Sequence, residues 1–303
     1  MKLKIGITGG TGFIGQYFIE MFGKQHDLIV ATAQEDVEKY NSLAHYNKIF
    51  YCVSDFENIF HGCDAVIHLG GKVMNGFDPS MEVGSYSENL EVCENLFRAC
   101  KNIGVKNVVF TSSVAVYDQM KVRVAKEESV CQPNTIYGVM KLAAENIAEI
   151  YNRRYAMNIK ILRIAQVLGI RQKLYPEQFW DKLVIESWNH HVIPVYGKGL
   201  TGRDIIYVKD AAEALMAAAE RPELSGIYNI GTGHIATNLE IAQVFCKVFE
   251  NPQGIYLDNS KKETGIQTCM NCEKAKRDLH FNAKYDIEAL VRDMKLEYEK
   301  RFI

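Results

Sequence analysis

Hydrophobic and polar positions along this chain fall into short continuous apolar runs separated by longer stretches with a helical stripe. Lys4-Ile5-Gly6-Ile7-Thr8 reads as a strand, and an amphipathic helix is predicted from residue 16 to about residue 23. Residues 28–32 (LIVAT) are a second strand, residues 48–53 a third that ends near Asp55, and residues 64–71 (DAVIHLGG) a fourth that ends in glycines. Residues 88–103 read as a helix with Asn89 near its start. Residues 107–110 (NVVF) then make a fifth strand, which delivers Thr111, Ser112 and Ser113 at its C-terminal end. Gln132-Pro133-Asn134-Thr135 reads as a stop followed by a capping residue, after which Ile136, Met140, Ala143, Ile147 and Tyr151 form the apolar stripe of another helix. Strands and helices alternate through this region, so the predicted class is α/β with a doubly wound parallel sheet.

Length and charge narrow the picture. A chain of 303 residues is long enough for one large α/β unit, or for a nucleotide domain plus a smaller lobe. Hydrophobic residues make up 48% and charged residues 24%, an ordinary globular balance. The net charge is −2 with no basic run, which removes the electrostatic footprint of a nucleic-acid binder and of a membrane-surface binder. No apolar run approaches a bilayer span, and the first strand begins almost at Met1, so a cytoplasmic protein is expected. The eight cysteines are expected as reduced thiols. Cys269-Met270-Asn271-Cys272 lacks a second such pair or a His pair at zinc spacing, so it reads as coincidence and no metal site is expected.

Candidate chemistry begins where the first strand runs into Gly9-Gly10-Thr11-Gly12-Phe13-Ile14-Gly15. A turn without Cβ atoms lets a pyrophosphate sit on backbone amides at a helix N-terminus, and the placement between strand and helix makes nucleotide binding the reading. At the end of the second strand an acid would bond the adenosine ribose and an Arg would favour a 2′-phosphate. This chain has Thr32-Ala33-Gln34, then Glu35 and Asp36; the nearby acids and the missing Arg favour NAD and leave NADP open. Asp55 reads equally as an adenine contact or a turn residue. Gly70 and Gly71 would let backbone approach the cofactor, while His68 reads as a packed strand residue.

Tyr137 and Lys141 are four residues apart and therefore share a helix face. A free phenol titrates at about 10, and an opposite charge in hydrogen-bond range lowers such a group by roughly 1–3 units. A Tyr and a Lys at this spacing can thus act as one acid–base unit near neutral pH.

Gly9 to Gly15, the Leu69-Gly70-Gly71 strand end, Ser112-Ser113-Val114-Ala115-Val116-Tyr117 and Tyr137-x-x-x-Lys141 occur in order. In this combination the chain resembles the extended short-chain dehydrogenase/reductase family, in its NAD-dependent nucleotide-sugar epimerase/dehydratase branch. The later chain is similar as well. Leu162-Arg163-Ile164-Ala165-Gln166-Val167-Leu168-Gly169 resembles the family's sixth strand and loop, and residues 195–210 around Thr201-Gly202-Arg203-Asp204 resemble its nucleotide-diphosphate segment. Gly226-Ile227-Tyr228-Asn229-Ile230-Gly231 and Lys274-Ala275 with Leu279 are similar to its closing motifs.

The resemblance implies a Rossmann-type domain over residues 1–168, with 203–233 returning to it, and a smaller α/β C-terminal substrate lobe from 169–202 and 234–303. It implies Tyr137 as acid/base and Lys141 as its partner and nicotinamide-ribose ligand. Ser113 would be on the reacting sugar oxygen, with Ser112 as a second hydroxyl. NAD would lie on Gly9, Gly12, Phe13, Ile14, Gly15, Leu69, Gly70, Gly71, Ser112, Tyr137 and Lys141, with Asp55 near adenine. A nucleotide sugar would meet Ser113, Gln166, which stands where several relatives carry Asn, and Arg203. Two alternatives stay open: Arg203 pairs with Asp204, or Lys261 and Lys262 sit in a solvated loop rather than at a second phosphate site.

Relatives that eliminate water carry an acid between the Ser/Thr and Tyr117, whereas this chain has Val114, Ala115 and Val116 there. A dehydratase is therefore disfavoured and a UDP-hexose 4-epimerase-like activity leads. The alternatives are an NAD(P)H-dependent reductase of a keto sugar or other carbonyl, and a non-catalytic NAD-binding scaffold. Asp118 replaces the usual Gly after Tyr117. Relatives pair through the helices beginning near Glu88 and Tyr137, which implies a homodimer.

Overall fold

The structure, a computed structural model, describes residues 2–33, 42–71, 84–175 and 178–303. The first half runs β1 (Lys4–Thr8), α1 (Phe13–Phe22), β2 (Asp27–Thr32), β3 (His45–Lys48), α2 (Val53–Phe60), β4 (Ala65–His68), α3 (Gly84–Asn102), β5 (Asn107–Ser113), β6 (Val124–Ala125) and α4 (Ile136–Tyr155). Then come β7 (Asn158–Ile164), β8 (Gln166–Leu168), α5 (Phe179–Trp188), β9 (Ile193–Tyr196), β10 (Gly202–Tyr207), α6 (Val208–Ala219) and β11 (Gly226–Ile230). The last elements are β12 (Ile235–Thr237), α7 (Asn238–Val248), β13 (Ile255–Asp258), β14 (Gln267–Met270) and α8 (Ile287–Phe302).

Seven strands form one parallel sheet in the order β11-β7-β5-β4-β1-β2-β3. Both faces are covered, which is why the strands read as continuous apolar runs. Along β5, Val108 and Phe110 enter the core under α2, α3 and α4, with Phe56, Phe60, Leu96, Phe97, Ala144 and Ala148. Val109 points the other way, into the core that α1 and α6 build from Phe18, Ile19, Ala211 and Leu215. The strand order reverses between β1 and β4, and at such a switch point an open α/β sheet leaves a crevice beyond its carboxyl ends. The α/β doubly wound class holds.

A second sheet has the order β12-β10-β14-β6, with β8 beside β10, and β9 pairs with β13. It shares a third core with α5, α7 and α8, including Leu168, Leu183, Val195, Ile205, Phe245 and Leu290. Within 203–233, α6 and β11 lie on the large sheet, whereas β10 lies in the small one and is joined there by β6 from the N-terminal half. Among the described residues no helix is long and apolar enough to cross a membrane.

Two expectations change. The third strand is His45–Lys48 rather than residues 48–53, and Val53 starts α2. The apolar residues there repeat at helical spacing, with Phe56 and Phe60 four apart and both buried. Helix α1 begins at Phe13, earlier than predicted, because the glycine turn itself enters the helix at Gly12.

Candidate active site

The crevice starts at the glycine turn. Gly9 has φ +70°, and a Cβ there would lie 2.7 Å from the backbone N of Gly70. A Cβ on Gly15 would run into the carbonyl oxygen of Gly9, so both positions require glycine. Helix α1 has Gly12 at its N-cap, no side-chain cap and no acid in its first turn. Its amide end is thus left for an anion. A pyrophosphate fits this cradle: Gly9, Gly12, Phe13, Ile14 and Gly15 would hold it on one side, and the Leu69-Gly70-Gly71 backbone faces them across the switch point.

His68 is fully buried beneath that backbone. The N–H of Gly70 donates to Thr8 Oγ1 at 3.1 Å, and the same hydroxyl hydrogen-bonds His68 Nδ1 at 2.5 Å. The other ring nitrogen, Nε2, faces Cys93 Sγ at 3.2 Å. Burial and the Lys141 ammonium push the His68 pKa down to about 3, so it stays a neutral packing residue.

The elements that carry Ser113, Tyr137 and Lys141 touch where β5 ends. Strand β5 ends at Ser113, whose Oγ accepts from the backbone N of Ala115 at 3.2 Å and caps the short turn Val114–Val116. Helix α4 starts at the predicted cap: Thr135 Oγ1 accepts from the N–H of Gly138 at 3.1 Å. Gly138 has no room for a side chain, since a Cβ would run into the carbonyl oxygen of Ala115. The first turn of α4 therefore butts against the turn that follows Ser113. Lys141 Nζ donates to the carbonyl of Thr111 at 2.7 Å and lies 5.9 Å from the Tyr137 ring centroid and 5.1 Å from that of Phe110. Tyr137, Lys141 and Ser113 thus belong to two elements that touch where the strand ends.

Arg203 sits half-buried on β10, with its guanidinium 5.9 Å from the centroid of Trp180. Its neighbour Asp204 accepts instead from Thr232 N, Thr232 Oγ1, Gly233 N and Met270 N, at 2.7–3.2 Å. The pairing of Arg203 with Asp204 is therefore absent. Loss of water without a compensating anion lowers the Arg203 pKa.

Other sequence-predicted residues sit elsewhere. Ser112 Oγ is buried and donates to Glu145 Oε1, so this hydroxyl is engaged in the interior. Strand alternation turns consecutive residues to opposite faces, which separates Ser112 from Ser113. Asp55 lies in the first turn of α2 and accepts from the N–H of Phe50 at 2.7 Å. Gln166 is on β8, with Nε2 3.5 Å from the Val167 carbonyl oxygen. Lys261 and Lys262 are exposed in the loop after β13. Asp118 closes the turn after Tyr117 by accepting from the N–H of Met120 at 3.1 Å and pairing with Lys121 at 3.1 Å. Gln34, Glu35 and Asp36 lie outside the described residues. Among the described residues no group of three or more His, Cys, Asp or Glu side chains could hold a metal ion.

Three residues of the site region were not read from sequence. Trp180 lies against Arg203, and Glu145 and Arg163 form a buried ion pair at 2.6 Å behind α4. A signal for Glu145 existed: it follows Lys141 by four residues, on the same helix face.

Residues 5–231 match the model of the NAD dependent epimerase/dehydratase family. The chain belongs to that family. It is an NAD-dependent enzyme of the extended short-chain dehydrogenase/reductase type. It is 24% identical over 301 residues to an uncharacterized UDP-glucose epimerase, YtcB, of Bacillus subtilis (strain 168), covering 92% of this chain and 93% of that one. It is 27% identical to UDP-glucose 4-epimerase 4 of Oryza sativa subsp. japonica, covering 95% and 88%. Among solved structures it is similar to the UDP-N-acetylglucosamine 4-epimerase from Bacillus cereus, with a TM-score of 0.86, 27% identity and coverage of 98% and 99%.

Proposed function

We propose that this family member is a nucleotide-sugar epimerase that inverts C4 of a UDP-hexose. The observation that supports the reading is the contact between the first turn of α4 and the turn after β5, the two elements that carry Tyr137, Lys141 and Ser113, in the same parallel sheet as the glycine turn. Bound NAD would supply a hydride acceptor and, later, a donor for the sugar carbon. Residues 1–168 with α6 and β11 would hold that cofactor, and 169–202 and 234–303 the sugar nucleotide. The phenolic oxygen of Tyr137 takes the proton of the sugar hydroxyl and gives it back after the sugar has turned in its site. Ser113 Oγ orients the same oxygen by hydrogen bonding. Lys141, held by the Thr111 carbonyl, places a positive charge beside the phenol and would reach the nicotinamide ribose. Arg203, partly desolvated and without an acidic partner among the described residues, suits the diphosphate.

Val114, Ala115 and Val116 still separate Ser113 from Tyr117, and Val116 is fully buried, so no carboxylate stands where water elimination needs one. This favours epimerase over dehydratase. The enzyme would act in the cytoplasm as a homodimer joined through α3 and α4; Val139 and Ile150, on one face of α4, are exposed and support that face. The test incubates purified protein with UDP-glucose, UDP-galactose and their N-acetyl forms, with and without added NAD, and follows the sugars by NMR. Interconversion of one pair with no net cofactor consumption is expected. Stoichiometric consumption of NADH would indicate a reductase instead, and inertness toward all four would overturn the substrate.

A further inference from the structure

Behind the acid–base turn of α4 lies a polar network with no place in the chemistry just described. Glu145 and Arg163 are 2% exposed each, deep between α4 and the large sheet. The guanidinium grips the carboxylate as a fork: Nη2 to Oε2 at 2.6 Å, and Nε to Oε1 at 3.0 Å. Its remaining nitrogen, Nη1, donates to Tyr117 OH at 2.7 Å and to the Glu127 carbonyl at 3.1 Å. Tyr117 OH donates onward to Asn229 Oδ1 at 2.8 Å, and Ser112 Oγ donates to Glu145. One carboxylate on α4 is thereby tied to β5, β7, β11 and the turn after Ser113.

Tyr137, Lys141 and Glu145 stand at intervals of four along one face of α4. Lys141 reaches Thr111 and Glu145 reaches Ser112, so two consecutive residues of β5 each hold one turn of the helix. Ser113, the next residue, carries the sugar-facing hydroxyl. A buried ion pair is weak evidence for stability, because apolar side chains of similar volume commonly serve as well or better. Apolar packing tolerates rotation and sliding of a helix; a two-toothed fork with fixed partners on three strands does not.

We propose that Glu145, Arg163 and Ser112 are positioning residues that set the rotation and depth of α4, and hence the placement of Tyr137 and Lys141 against Ser113. The proposal rests on the roles given to those three residues above. The test is the full-length double variant Glu145→Met/Arg163→Met, which removes both charges together. It is expected to melt within a few degrees of wild type and to keep KM within threefold, while kcat falls at least tenfold. A kcat within twofold of wild type overturns the proposal. A crystal structure of the double variant is read independently of any turnover. Loss of the Lys141–Thr111 contact supports the proposal, and an unmoved α4 overturns it even when wild type proves inert toward every nucleotide sugar; inertness alone sinks only the substrate assignment. Should the double variant fail to fold, Ser112→Ala removes the tie to β5 alone. A kcat reduced at least threefold at unchanged KM supports the proposal, and a wild-type kcat overturns it.

Discussion

Arg203 and Tyr137 show how much of the site rests on single side chains. The half-buried Arg203 guanidinium lies against the indole of Trp180, while Asp204 is occupied by three backbone amides and a hydroxyl. Charge-assisted hydrogen bonds contribute about 1.5–3 kcal/mol each, so Arg203→Gln is expected to raise KM for the nucleotide sugar by about 10- to 100-fold. Because no carboxylate pairs with this cation among the described residues, the melting temperature of that variant should hold or rise. Steady-state kinetics and a thermal melt on the same preparation check both halves. Tyr137→Phe leaves the ring and removes the proton carrier, so kcat should fall by at least about 10²-fold, the low end for general acid–base catalysis. NADH affinity, read by fluorescence titration, should stay within about threefold.

At the scale of elements, the glycine turn and the α4–β5 junction are where backbone must touch backbone. Gly15→Ala would press a methyl against the carbonyl oxygen of Gly9 and to 2.6 Å from Gly10 Cα, atoms that cannot swing aside. Overpacking of this kind costs about 1–3 kcal/mol, so urea unfolding should show that loss, with NADH binding weakened at least about tenfold. Those same elements were the most legible in the sequence. A strand, a glycine turn and a helix in immediate succession, and a Thr135 cap before an apolar stripe, are local signals. The small sheet was not legible. Its strands β6, β8 and β12 are two or three residues long, too short for a period of two to register, and β6 pairs with β14 across Val124 and Cys269. The segment from 48 to 60 misled for a related reason: its short apolar start fits a strand, and only Phe56 and Phe60 show the helix. The Glu145–Arg163 network is invisible to pattern reading because a buried charge looks like a surface charge until its partner, 18 residues away, is placed.

The whole molecule carries a titration signature at the opposite end of the sheet from the site. Lys160 on β7 is fully buried, with Nζ donating to Asn107 Oδ1 at 2.5 Å and to the Arg221 carbonyl at 3.0 Å. Burial pushes its pKa down to about 7. Between that value and the ordinary lysine range the unfolded chain binds the proton that the folded chain has released, so stability rises with pH there. From pH 7 to 8.5 the contribution of Lys160 is a gain of about 1.5 kcal/mol, while the buried thiols, whose unfolded counterparts ionise at about 8.5, act in the opposite sense toward the upper end of that window. Guanidinium unfolding at the two pH values isolates Lys160 as a difference: wild type should gain about 1.5 kcal/mol relative to Lys160→Met between them, and equal responses would contradict it.

The central claim is that one sugar carbon loses and regains the same hydride inside a closed site, while Tyr137 carries the proton. UDP-glucose deuterated at C4 tests this most directly, with the product followed by mass and NMR. UDP-galactose that keeps the deuterium at C4, with Tyr137→Phe forming none, is the expected result. Deuterium lost to water during interconversion, or undiminished interconversion by Tyr137→Phe, would contradict it.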